Sequence, residues 1–108
     1  MPVKLNKYYT QINASQSAAT LGSAGALGDH LDTIIIIPLT ASPGAVSLQD
    51  GTQTAVTLFA GSGLLGSLAD PIPVQLKLDV VSQYGAWKVT TGSNVAVLAI
   101  GEFGWTLP

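Results

Sequence analysis

The feature that most limits the fold of this chain is its punctuation. From residue 31 onward, runs of Val, Ile, Leu and Thr are broken at short intervals by Gly, Pro, Asp and Asn. No window sustains the 3.6-residue spacing of an amphipathic helix; β-branched residues fill the runs and turn formers fill the breaks. Residues 31–39 are a nearly continuous apolar stretch, stopped by Thr40-Ala41-Ser42-Pro43-Gly44, a strong turn. Val46 and Leu48 alternate with Ser47 and Gln49, and Asp50-Gly51 then predicts a hairpin whose second strand runs through residues 55–60. Residues 61–66 read as a loop, and Pro71 and Pro73 bracket the entry to the next strand. There Val74, Leu76, Leu78 and Val80 point one way and Gln75, Lys77 and Asp79 the other, which predicts one buried and one wet face. A strand over 85–90, a turn at 91–94 and a strand over 95–100 complete the series. The last has no polar residue on either face and is expected to be covered on both sides. Six or seven short strands at this spacing predict an all-β fold, an antiparallel β-sandwich or jelly roll, with a barrel as the close alternative.

The first 28 residues have a different texture. Residues 14–28 are Ala, Ser, Gly, Thr and Gln with only two leucines, too little apolar surface to offset the entropy of ordering. This predicts an extended N-terminal arm over 1–28, flexible or ordered on a neighbouring subunit, ahead of a sandwich domain over 29–108. Within the arm, Tyr8, Tyr9 and Ile12 are candidates for a short strand or an anchor.

Charge narrows the function. The chain has four Lys, no Arg and six acids in 108 residues, a net charge of −2, against 47% hydrophobic residues. A compact monomer of this mass exposes roughly 5,600 Å², so each charged group serves about 560 Å² where about 200 Å² is usual. Surfaces so bare are usually covered, which favours an assembly. The lysines stand at 4, 7, 77 and 88 rather than on one stripe, which argues against nucleic acid as a partner. The longest apolar run contains Pro38 and is far shorter than the 20 or so residues of a membrane span, so no membrane partner is expected. No signal peptide is seen. Cys is absent, which removes disulfides and thiolates.

Motifs for chemistry are weak. His30, the only histidine, lies in Gly28-Asp29-His30-Leu31-Asp32, where Asp29 or Asp32 would orient it toward a serine in a catalytic reading. No Gly-x-Ser-x-Gly elbow accompanies it. The same residues fit neither an EF-hand nor a zinc spacing, and read as loop acids. The pattern Gly61-Ser62-Gly63-Leu64-Leu65-Gly66 is followed too soon by Pro71 and Pro73 to open a nucleotide-binding helix. Asn13-Ala14-Ser15 is a formal glycosylation sequon and is read as chance. No catalytic residue, metal or cofactor is expected. Trp87, in phase with Val89, is expected in the core, while Tyr84 and Trp105 are the aromatics most open to a glycan-binding reading.

The stretches Gly85-Ala86-Trp87-Lys88-Val89-Thr90-Thr91-Gly92-Ser93-Asn94-Val95-Ala96-Val97-Leu98-Ala99-Ile100-Gly101 and Ser42-Pro43-Gly44-Ala45-Val46-Ser47-Leu48-Gln49-Asp50-Gly51 resemble small virion proteins of tailed bacteriophages, in particular capsid decoration (cement) proteins of sandwich or jelly-roll type. The resemblance covers residues 31–103 and carries no catalytic signature. It implies a structural protein on the capsid exterior that bridges major capsid subunits as a homotrimer, less readily a dimer. Tyr8, Tyr9, Ile12 and Trp105 are the expected partner contacts. The other reading is a tail-fibre or receptor-binding module that recognises host glycan.

Overall fold

The computed structural model describes residues 8–21, 27–61 and 72–103. They form eight strands: β1 Tyr8–Ile12, β2 Ala19–Thr20, β3 His30–Pro38, β4 Val46–Asp50, β5 Val56–Phe59, β6 Val74–Val81, β7 Trp87–Thr91 and β8 Val95–Glu102. Two four-stranded antiparallel sheets result, one in the order β1-β8-β3-β6 and the other β2-β7-β4-β5. The pairings β1 with β8, β2 with β7, β3 with β6 and β4 with β5 are nested, as though one long hairpin had been drawn about the β4–β5 turn. Rolling that hairpin up brings β3 against β8 and β4 against β7. This is jelly-roll order, and it meets the sandwich expectation from the strand spacing.

Alternation fills the space between the sheets. Ile12, Leu31, Ile34, Ile36, Val95, Val97 and Ala99 from one sheet meet Val46, Leu48, Trp87 and Val89 from the other, with Leu21 and Phe103 in the same cluster. Trp87 lies in this core as its phase predicts, and its indole N–H donates to the Asp29 carbonyl at 3.0 Å. The Asp50-Gly51 hairpin forms, and the Asp50 carboxylate accepts backbone N–H bonds from Gln83 (2.9 Å) and Tyr84 (3.2 Å), tying that turn to the one after β6. At the other end Gly44 and Gly92 meet backbone to backbone: a Cβ on Gly44 would stand 2.9 Å from the Gly92 Cα. The contact is closed by Gly44 N–H to the Ser93 carbonyl and Gly92 N–H to the Ala45 carbonyl.

The described part of the predicted arm differs from expectation. Residues 8–12 form a strand hydrogen-bonded to β8, and residues 13–21 lie along β7. Ile12 anchors the first part in the core, and over 13–21 hydrogen bonds do most of the holding. The Thr91 hydroxyl donates to the Asn13 carbonyl (2.6 Å) and accepts from Gln16 N–H (3.0 Å), the Thr90 hydroxyl accepts from Ala18 N–H (2.9 Å), and Leu21 N–H donates to the Trp87 carbonyl (2.9 Å). One leucine, Leu21, fully buried, completes the attachment. Residues 8–21 thus belong to the sandwich.

Candidate interaction surface

The two central strands of the first sheet, β3 and β8, are apolar at every position over 34–38 and 95–100, so these stretches are apolar on both faces. Leu31, Ile34, Ile36, Val95, Val97 and Ala99 turn inward and are fully buried. The alternate positions Ile35, Ile37, Leu98 and Ile100 fall on the opposite face and are only partly buried, with Ala96 between them. Cross-strand register gathers them into one strip: Ile35 faces Leu98, Ile37 faces Ala96, and Ile100 lies opposite Tyr9 of β1. The expectation that 95–100 is covered on both sides is met on the inner face by the second sheet. Its outer face forms the centre of this strip.

The strip has polar margins. Gln75 and Lys77 of β6 pair with Ile35 and Thr33 and are exposed, as their phase predicts. The opposite face of the sandwich is different in kind: Ser47, Gln49, Lys88 and Thr90 occupy its outward positions on β4 and β7. The two described lysines, Lys77 and Lys88, therefore stand on different sheets and form no joint basic patch.

The anticipated contact residues separate. Tyr9 is 71% exposed at the edge of the apolar strip, consistent with a contact role. Tyr8 pairs through its backbone with Gly101. Ile12 is 5% exposed and packs in the core of the sandwich rather than on its surface. Trp105 lies outside the described residues, as does most of the 61–66 loop. Val80, expected inside, is 40% exposed because a bulge in β6 intervenes between it and Leu78. Ile35 and Ile37 were legible as outward residues only once β3 was known to be central with one open face.

His30 does not meet a serine among the described residues. Its Nε2 lies 2.6 Å from Asp79 Oδ1, a carboxylate 49 positions away that local sequence reading does not connect to it. No helix of the described residues is long and apolar enough to cross a membrane. No family model matches the chain, and neither a curated protein nor a solved structure matches it.

Proposed function

We propose that this chain is a structural virion protein that decorates and stabilises a bacteriophage capsid by bridging major capsid subunits, and that its work is adhesion rather than turnover. The observation that carries the proposal is the outward apolar strip of Ile35, Ile37, Leu98 and Ile100 on β3 and β8, rimmed by Tyr9, Gln75 and Lys77. An apolar centre with a polar margin is the anatomy of a protein interface. The low charge of the whole chain and the texture shared with cement proteins support the same reading. Tyr9 and the strip are the contact elements, and residues 104–108 with Trp105 a second; the free protein is a homotrimer, less readily a dimer.

The test is cosedimentation with empty shells of the major capsid protein that lack this chain. Wild type pellets with the shells, and Leu98→Lys lowers the affinity at least tenfold while its circular dichroism stays that of a folded sandwich. Unchanged binding by Leu98→Lys would remove the strip from the interface, and no binding by wild type would end the capsid reading. Saturable glycan binding lost in Tyr84→Ala would install the receptor-binding alternative, since Tyr84 is 57% exposed.

A further inference from the structure

At one end of the first sheet the three strands β8, β3 and β6 are out of step. Between the pairs Leu31 with Gly101 and Thr33 with Ile100, β3 has the extra residue Asp32; between Leu31 with Val80 and Thr33 with Lys77, β6 has both Leu78 and Asp79 opposite Asp32. Such bulges re-aim side chains. Asp32 and Thr33, neighbours in sequence, are joined by a Thr33 hydroxyl bond to Asp32 Oδ2 at 2.9 Å, and Asp79 takes a left-handed backbone conformation, φ 51°. His30, Asp32 and Asp79 thereby offer one imidazole nitrogen and two carboxylate oxygens, all within 4.8 Å of one another.

We propose that His30, Asp32 and Asp79 bind one divalent transition-metal ion of the zinc type, with Glu102 orienting the imidazole from behind. The independent observation is the other ring nitrogen. Nδ1 of His30 is buried without a hydrogen-bond partner, yet Glu102 Oε1 stands 3.8 Å from it. With the ring proton on Nε2 and donated to Asp79, Nδ1 turns a lone pair toward a carboxylate in a place water does not reach. A cation at Nε2 reverses this: Nε2 coordinates, the proton sits on Nδ1, and it points at Glu102. Closing the 3.8 Å gap to Glu102 by about 1 Å would make this a hydrogen bond and give the carboxylate–histidine–metal arrangement found behind most ligating histidines. Nitrogen in the donor set favours zinc-type ions over calcium or magnesium, which take oxygen.

The geometry and charge fit. Tetrahedral ligation at about 2.1 Å needs donor atoms about 3.4 Å apart. The 2.6 Å contact between His30 Nε2 and Asp79 Oδ1 is shorter than this, so an entering ion must part it, and the movement falls to Asp79, whose side chain is 66% exposed. Asp32, with a side chain 9% exposed, is the fixed ligand; Lys77 Nζ lies 3.3 Å from its Oδ1 and is 65% exposed, free to swing into solvent when a cation arrives. Two carboxylates then hold the ion, with Glu102 behind the imidazole and the Lys77 ammonium at the margin. The site sits at the end of the sheet where the apolar strip stops, since Ile100 pairs with Thr33 and Lys77 borders both, and it does not depend on the capsid reading.

The experiment is titration of the untagged full chain with zinc chloride, followed by calorimetry and by nitrogen NMR of the imidazole. His30 is the only histidine and Cys is absent, so the ring signals need no assignment by mutation and no thiol competes. One ion per chain, an Nε2 shift with the proton on Nδ1, and a thermal midpoint raised by a few degrees at saturation are expected. Asp79→Asn keeps the size of the side chain and tolerates the left-handed backbone, and it weakens zinc at least tenfold; Glu102→Gln weakens it by about tenfold. The proposal fails if no saturable binding occurs, if both variants titrate like wild type, if calcium binds more tightly than zinc, or if the ring keeps both protons and its signals ignore zinc.

Discussion

Gly101 shows how much can rest on a missing side chain. A Cβ there would run into the His30 carbonyl oxygen and approach the Leu31 Cα to 3.1 Å, both on the backbone of the neighbouring strand and unable to rotate away. Gly101→Ala is expected to cost about 3 kcal/mol in urea unfolding, at the upper end of overpacking because backbone must shift. Asp50 carries the opposite kind of role, since its carboxylate holds two amides of the 83–84 turn. Asp50→Ala should lose about 2 kcal/mol, as charged acceptors are worth more than neutral ones, while Asp50→Asn, which retains one acceptor oxygen, loses less. Equal losses for the two variants would show that turn propensity rather than acceptance matters at this position. Neither role is legible in the sequence: Asp50-Gly51 announces its own turn and says nothing of the second turn it clamps, and Gly101 looks like any strand end.

Among the elements, the segment over 13–21 is the most instructive. Its composition correctly says that it buries little, yet Thr90 and Thr91 supply side-chain partners for its backbone, and β7 supplies carbonyls. Because two bonds converge on one hydroxyl, Thr91→Val is expected to cost about 2 kcal/mol and to speed amide exchange at Ser15 and Gln16 well ahead of β3 and β8. Uniform exchange across the sandwich would show that the segment has no stability of its own to lose. The strands themselves were readable from alternation, β6 above all, where Val74, Leu76 and Leu78 turn in and Gln75 and Lys77 turn out. Asp79 is exposed as its phase predicts, but the reading failed at Val80, because a bulge at the left-handed Asp79 resets the alternation and the local pattern does not announce it.

For the molecule as a whole, the nested pairing decides which surfaces face outward. β3 and β8 lie at the centre of one sheet, so their second apolar face is set beside solvent rather than beside another layer. If assembly covers that face, light scattering on the free protein gives a trimer, or a dimer, across micromolar to millimolar concentration. Ile35→Lys then shifts it to monomer, and its unfolding midpoint, unlike that of wild type, no longer rises with protein concentration. A strict monomer in wild type would leave the apolar strip to a partner other than a second copy.

The sequence alone settled the all-β class, the principal hairpin, the core position of Trp87 and the scarcity of charge, because each follows from local alternation, turn chemistry or a count. Tertiary structure alone decided which apolar face of β3 and β8 is inside, that residues 8–21 join the sandwich, and that Asp79 and Glu102 stand beside His30. The physical reason is separation along the chain. Turns and alternation act over a few residues, whereas strand order, bulge register and the convergence of side chains from β3, β6 and β8 are fixed by pairings between residues 38 to 72 positions apart.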